Sequence, residues 1–329
     1  MNSNLLFFMS FLFAFLTALI LIPLLKKLKV GQNILSYVDH HETKSGTPTM
    51  GGVIFVLPLV LWSTFNLNEN LPLSIMIVAG SLTFGLIGFL DDFIKIKSGV
   101  NLGLRAYQKI VGMGGVALLL SYFYMRVNPN GQILIPFMNL NVEIGGFGIF
   151  LFTFIVLIAT TNAVNLTDGL DGLAGSVSAV FLIFMLFLIQ NNIEKSLVGG
   201  QIDGIEESNS INQIIVVVLG GLTAFLLFNT KKASIFMGDT GSLFLGGILA
   251  TVVLFTGMGL FILILGICFV WSALSVIIQV TYFKITKGKR VFLMTPFHHH
   301  LEKIGWQEPK IVFCYVVVTV LAGLTLLLF

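Results

Sequence analysis

Five of the aspartates in this chain have the setting that chemistry requires. Asp91 and Asp92 are adjacent in Gly88-Phe89-Leu90-Asp91-Asp92-Phe93-Ile94-Lys95. Asp168 and Asp171 lie in Asn162-Ala163-Val164-Asn165-Leu166-Thr167-Asp168-Gly169-Leu170-Asp171-Gly172, and Asp239 in Phe236-Met237-Gly238-Asp239-Thr240-Gly241-Ser242. Each motif sits at the edge of an apolar run, where a carboxylate is costly and usually functional. Adjacent carboxylates repel, which suits a bound cation or a general base. As plain snorkelling residues at a helix carboxyl terminus, Asp91 and Asp92 would oppose the macrodipole. Lys95 is i, i+4 from Asp91 and i, i+3 from Asp92, so it can neutralise either. Asp168 or Asp239 alone would serve as an ordinary helix N-cap. The surrounding glycines point further, because they let a ligand approach the backbone and a helix amino terminus offers free N–H groups to phosphate. Two such termini beside a carboxylate pair would make a metal-and-diphosphate site, and oxygen ligands favour Mg²⁺ or Mn²⁺.

A histidine run follows in Thr295-Pro296-Phe297-His298-His299-His300-Leu301-Glu302. Consecutive helical residues point about 100° apart, so the three imidazoles do not share one ligand set. The i, i+4 histidine pair of a zinc site is missing. One or two of these histidines contacting phosphate, with the rest structural, is the reading adopted. Lys44-Ser45-Gly46-Thr47-Pro48-Thr49-Met50-Gly51-Gly52 makes an anion grip of a lysine, hydroxyls and glycines entering a helix. Phe236 is placed to stack on a flat base or to lie at a membrane interface, and both readings stay open.

The elements that must position these residues are membrane spans. Hydrophobic residues make up 56% of the 329-residue chain and charged residues 10%, against about 25% charged in a soluble domain. Lipid is therefore the solvent for most of the surface. Ten segments suit a span of about 20 residues: 4–25, 48–66, 72–90, 106–125, 147–164, 172–190, 210–228, 240–257, 259–283 and 308–328. The eighth and ninth are divided only by Gly257-Met258-Gly259. With the amino terminus outside, the loops after odd-numbered spans hold 16 of the 18 lysines and arginines, leaving Arg126 and Lys195 outside. The positive-inside rule then puts every aspartate motif on the cytoplasmic face. The first run lacks a basic residue before it and is a retained span, not a cleaved signal. Residues 126–146, with Asn128-Pro129-Asn130-Gly131 between β-prone runs, predict an outer β-hairpin. Cys268 and Cys314 lie inside apolar runs and read as small hydrophobes. The fold expected is an all-α polytopic membrane protein of ten transmembrane helices, both termini outside, forming one domain over 1–329. A net charge of +3 gives no reason to expect nucleic acid. A transporter would need ionisable groups near the bilayer midplane, and the centres of these spans carry none.

These motifs, in this order, resemble the phospho-N-acetylmuramoyl-pentapeptide transferase family, within the polyprenyl-phosphate N-acetylhexosamine-1-phosphate transferases. The likeness covers almost the whole chain. The aspartate motifs are shared across the superfamily. The tail Pro296-Phe297-His298-His299-His300-Leu301-Glu302-Lys303-Ile304-Gly305-Trp306 resembles the muramoyl-pentapeptide branch. The stretch Gly31–Thr43 matches least. The resemblance implies an Mg²⁺-dependent transfer of phospho-N-acetylmuramoyl-pentapeptide from UDP to undecaprenyl phosphate in the bacterial cytoplasmic membrane, usually by a homodimer. It implies that Asp239 holds the metal with Asn165 nearby, and that Asp91 activates the lipid phosphate beside Asp92 and Lys95. Lys44, Thr49, Asp168, Asp171, Asn229, Phe236, Ser242, Gln279, His298, His299 and His300 would handle the nucleotide sugar. The nearest competing reading is the same chemistry with UDP-N-acetylglucosamine as donor.

Overall fold

Backbone N–H and C=O groups cannot go unpaired in hydrocarbon, so a chain this apolar must close its hydrogen bonds within helices. The computed structural model describes residues 2–27, 46–68, 71–98, 103–138, 140–198 and 204–328. In chain order the helices are α1 (Ser3–Lys27), α2 (Val53–Asn66), α3 (Pro72–Ser98), α4 (Ala106–Val127), α5 (Gly145–Thr167), α6 (Leu173–Val198) and α7 (Ile205–Asn229). They continue with α8 (Gly238–Phe255), α9 (Ile262–Leu265), α10 (Ile267–Ile285), α11 (Phe297–Lys303) and α12 (Glu308–Leu327). Among the described residues, nine helices are long and apolar enough to cross a membrane: α1, α3 to α8, α10 and α12.

Two expected spans differ from that reading. The second, expected over 48–66, is the 14-residue α2, about 21 Å long against a hydrocarbon core of about 30 Å. Its first residues instead bond through their backbone to the segment before α8: Phe236 N–H to Pro48 O at 2.8 Å, Gly51 N–H to Phe236 O at 2.8 Å and Gly52 N–H to Met237 O at 2.9 Å. The ninth begins with a 3₁₀ turn, Gly259–Phe261, and the short α9 before α10 takes over. The break at Gly257-Met258-Gly259 falls where expected.

A hairpin does follow α4, but not around Asn128–Gly131. Strands β1 (Gln132–Ile135) and β2 (Leu140–Glu143) pair antiparallel with Gln132 opposite Glu143. The Asn128 side chain is spent on Gln132, accepting its N–H and donating to its carbonyl, both at 3.1 Å. It thus closes the end of α4 and leaves the reversal to Pro136–Met138.

Lipid-facing and inward-facing positions separate along each helix. On α1, Leu5, Phe8, Leu12, Leu16, Leu19 and Ile20 are exposed, while Ser10, Ala14 and Ala18 are buried at i, i+4 spacing. Small residues on one stripe let backbones approach in a membrane. The opposite extreme is α8, whose apolar window is 89% buried against 28% for α1 and α12. It is the central post, with α3 and α5 packed along it. Gly88 makes the α3 contact possible, because a Cβ there would overlap the main chain of Asp239. Gly88→Ala should therefore destabilise the protein by about 1–3 kcal/mol, read as a lower thermal midpoint in detergent. A midpoint equal to wild type would show that the two helices part without cost.

Candidate active site

At one end of the bundle, four helices bring their polar residues to a single carboxylate. Asp239 stands in the first turn of α8. Its Oδ2 accepts from Lys95 Nζ at 2.8 Å and Lys109 Nζ at 3.0 Å, and its Oδ1 accepts from Asn165 Nδ2 at 2.7 Å. The Asn165 amide also donates to Ser242 Oγ at 2.8 Å. Lys95 pairs in addition with Asp91, whose Oδ1 accepts the Leu104 N–H at 2.7 Å. Lysines from α3 and α4 thus bridge acids from α3 and α8, with α5 supplying an amide donor.

The amino terminus of α8 is capped from another helix. Met237 is its N-cap and makes no side-chain cap bond. Asp92 of α3 supplies the acceptors instead, taking the Asp239 N–H at 3.1 Å, the Thr240 N–H at 2.9 Å and the Thr240 hydroxyl at 2.7 Å. Asp92 is fully buried. Asp239 is therefore not an N-cap, and its carboxylate is free to face the lysines.

The donor set fits a divalent cation. Asp91, Asp92 and Asp239 each offer an oxygen, all within 4.8 Å of one another. Three carboxylates outnumber the two ammoniums of Lys95 and Lys109. An all-oxygen set with surplus negative charge suits a hard ion that completes its shell with substrate oxygens. Sequence reasoning singled out Lys95 but counted Lys109 only among the basic residues of its face. The available signal was its place one turn inside a span at the aspartate end.

A second group lies beside the first. Asp168 does not open α6. It is the C-cap of α5, its N–H bonded back to Asn165 and Val164 carbonyls, so the last turn of α5 closes on it and α6 starts only at Leu173. Burial pushes the Asp168 carboxyl up to about 8, and the charges of Asp239, Asp92 and Asp171 act in the same direction. Next to it, His298 and His299 put their Nε2 atoms where a Cβ on Gly169 would sit, so a glycine is needed there. His298 is fully buried with neither ring nitrogen hydrogen-bonded, and burial followed by His299 lowers its pKa to about 3, leaving it neutral. His299 Nδ1 meets Glu302 at 2.7 Å. His300 turns the other way and accepts the Leu293 N–H at 3.2 Å. The three rings do not splay evenly: His298 and His299 lie edge to face with centroids 4.3 Å apart and converge on Gly169, and His300 alone diverges.

The remaining sequence-derived candidates divide. Asp171 Oδ2 accepts the Ala233 N–H at 3.1 Å. Asn229 accepts the Gly172 N–H at 3.0 Å and donates to Ile235 O at 2.9 Å. Thr49 is buried with an unpaired hydroxyl, close to where a Cβ on Gly238 would lie. Phe236 is half-buried. Gln279 accepts the N–H groups of Val291 and Phe292 at 3.1 and 2.9 Å, so it braces the loop after α10 together with His300. Lys44 and the Gly31–Thr43 stretch lie outside the described residues. Cys268 and Cys314 are unpaired, the first buried.

The polytopic helical bundle thus carries a lysine-bridged acidic cluster and a histidine segment at one end, an arrangement suited to holding a cation beside phosphate. The profile of Glycosyl transferase family 4 matches residues 74–257, and the phospho-N-acetylmuramoyl-pentapeptide-transferase signature 1 matches residues 44–56. The chain is 43% identical to the phospho-N-acetylmuramoyl-pentapeptide-transferase of Clostridium beijerinckii, over 94% of this chain and 91% of the relative. It is 40% identical to that of a Geobacillus species (92% and 90%) and 39% to that of Kosmotoga olearia (98% and 96%). The chain belongs to the phospho-N-acetylmuramoyl-pentapeptide-transferase family, within glycosyl transferase family 4.

The raised Asp168 pKa has a consequence for stability. Between the ordinary carboxylate range and pH 8, the folded state holds a proton that the unfolded chain has released, so stability falls as pH rises through that window. In metal-free buffer, Asp168→Asn should flatten the fall in thermal midpoint between pH 5 and pH 9. An unchanged pH slope would mean that Asp168 is solvated and ionised throughout.

Proposed function

We propose that this phospho-sugar transferase moves phospho-N-acetylmuramoyl-pentapeptide from UDP to undecaprenyl phosphate, giving lipid I and UMP. The observation that carries this is the lysine-bridged Asp91–Asp239 cluster at one end of a membrane bundle, with the histidine segment packed next to it. A lipid phosphate confined to the bilayer and a water-soluble nucleotide can meet only at such an interface. An oxygen of the lipid phosphate attacks the β-phosphorus of the nucleotide sugar, and the bond from that phosphorus to the bridging oxygen breaks as UMP leaves. In-line transfer of this kind rests on positioning and charge neutralisation.

Each residue has a task in this scheme. Asp91 receives or orients the lipid phosphate, and Lys95 and Lys109 offset the charge gathered on the transferred group. Asp92 keeps its oxygens on α8 and fixes where Asp239 stands. Mg²⁺, or Mn²⁺, would be held by Asp239 with Asp91 beside it and Asn165 orienting the Asp239 carboxylate. Such an ion supplies charge neutralisation between the anionic nucleophile and the diphosphate. Thr49, Asp168, Asp171, Asn229, Phe236 and Ser242 surround the nucleotide sugar, with His298 and His299 as hydrogen-bonding groups toward it. Lys44, Gln279 and His300 complete its binding. The relatives' names favour the muramoyl-pentapeptide donor over UDP-N-acetylglucosamine. The single domain is proposed to work as a homodimer in the bacterial cytoplasmic membrane, its aspartates facing the cytoplasm.

Two experiments check this reading. In the first, purified protein with UDP-N-acetylmuramoyl-pentapeptide, undecaprenyl phosphate and Mg²⁺ should release UMP. Asp239→Asn should still fold, with a thermal midpoint lowered by the loss of its pairs with Lys95 and Lys109, but lose roughly 10²–10³-fold in kcat at temperatures where it is folded, the scale of removing one electrostatic stabiliser. Wild-type turnover in that variant would take Asp239 out of the site, and turnover of UDP-N-acetylglucosamine alone would hand the donor to the competing reading. The second experiment tests orientation. A cysteine at Ser208 should react with an impermeant maleimide on intact cells, and one at Ser98 only after permeabilisation; the reverse pattern would turn the active site outward.

A further inference from the structure

Several of the residues assigned to the nucleotide sugar lie in or beside three connections far apart in sequence: the one after α5, the one between α7 and α8, and the one between α10 and α12. Packing in the membrane places the helices, but it does not by itself seat one of these loops on another. The first two are tied by Asp171 to Ala233 at 3.1 Å and by Asn229 to Gly172 at 3.0 Å. The third is tied to the first by Glu308, the opening residue of α12, whose Oε1 accepts the Asp171 N–H at 2.8 Å across 137 residues of sequence.

The bond falls where it governs the histidines. Glu308 follows α11 directly through a tight connection: the Trp306 N–H bonds to Leu301 O at 3.0 Å, and the Lys310 ammonium lies 4.1 Å from the centre of the Trp306 ring. On the other side of α11, His298 and His299 rest against Gly169, two residues before Asp171. The histidine helix and the start of α12 therefore grip the same five-residue loop, one by ring contact and the other by a carboxylate.

We propose, on the reading of function given above, that Glu308 is a positioning residue: by accepting the Asp171 N–H it seats the His298–His300 segment on the 168–172 loop and so sets affinity for the nucleotide sugar. It touches no reacting group. The competing role is the ordinary one of an acid in the first turn of a helix, favourable to the α12 dipole. The two roles call for different properties. Seating needs an acceptor oxygen, which glutamine keeps, whereas the dipole interaction needs the charge, which glutamine loses.

The test compares wild type, Glu308→Gln and Glu308→Ala by two readouts. The first needs no substrate: histidine modification by diethylpyrocarbonate, located by mass spectrometry. His298 should stay protected in wild type and Glu308→Gln and become labelled in Glu308→Ala at a temperature well below its thermal midpoint. The second is steady-state UMP release. Glu308→Ala should raise KM for UDP-N-acetylmuramoyl-pentapeptide roughly tenfold to a hundredfold, the scale of one hydrogen bond to a charged group, with kcat within about threefold, the ordinary scatter of such contributions. Glu308→Gln should stay near wild type on both constants. Protection of His298 in Glu308→Ala, or labelling in Glu308→Gln equal to that in Glu308→Ala, would overturn the proposal. A fall in kcat without a change in KM would overturn it as well. Failure of the wild type to release UMP would instead count against the proposed reaction, while the labelling result would still decide whether Glu308 seats the histidines.

Discussion

The carboxylate of Asp92 on the amino terminus of α8 is the contact on which the site depends. A helix starts with N–H groups that its own carbonyls cannot satisfy, and beside hydrocarbon such groups are costly to leave bare. Capping normally comes from the residue just before the helix. Here α3 provides it, with both Asp92 oxygens occupied by Asp239 and Thr240. The bonds are charge-assisted and buried, so losing one partner would leave the other unsatisfied, which costs more than the bond contributes when made. Because the cap joins two helices, it also fixes their relative register. Asp91 and Asp239 meet the same lysine as a consequence.

That register would not close without room. The Asp239 main chain lies where any side chain on Gly88 would be, so Asp92 can reach the end of α8 only because residue 88 has no Cβ. A similar economy appears at the histidine segment, where Gly169 gives its space to two imidazoles. In both places a glycine next to an aspartate marks a close approach made by the protein itself. Sequence alone suggested that Gly169 admits a ligand; the structure gives its space first to the fold.

Much of this was legible in the sequence. The class, the spans and the clustering of charge follow from hydropathy and from where lysines are allowed to lie. The Asp91, Asp92 and Asp239 motifs were visible because acids at the edge of an apolar run have few bland explanations. What was not legible depends on neighbours remote in the chain. Asp239 reads as an N-cap until Asp92 is known to hold that position. Asp168 reads as the start of α6 until its N–H is seen to close α5. The second span reads as a full crossing because Thr49–Gly52 are apolar enough to continue it, whereas their backbone is bonded to Phe236 and Met237. Lys109 reads as one more basic residue of its face, since nothing local announces that α4 leans its first turn toward α8.

The two halves of the site are built on different footings. The acidic cluster stands on α3, α4, α5 and α8, helices held by packing along most of their length; Lys95, Lys109, Asp92 and Asp239 each have a partner on another helix, and Asp91 pairs with Lys95 of its own helix and with the Leu104 N–H. Its geometry is as rigid as the bundle. The histidine and Asp168 group stands on the ends of helices and on loops, joined by single hydrogen bonds such as Asp171 to Ala233, with His298 buried and unpaired among them. A catalytic centre needs its charges fixed before substrate arrives, because reorganising them during transfer would add to the barrier. A recognition surface can remain adjustable, and a neutral, unbonded imidazole under a glycine is suited to that. Phosphoryl chemistry on the spans and donor recognition on the loops would let related enzymes exchange one sugar donor for another without disturbing the aspartates.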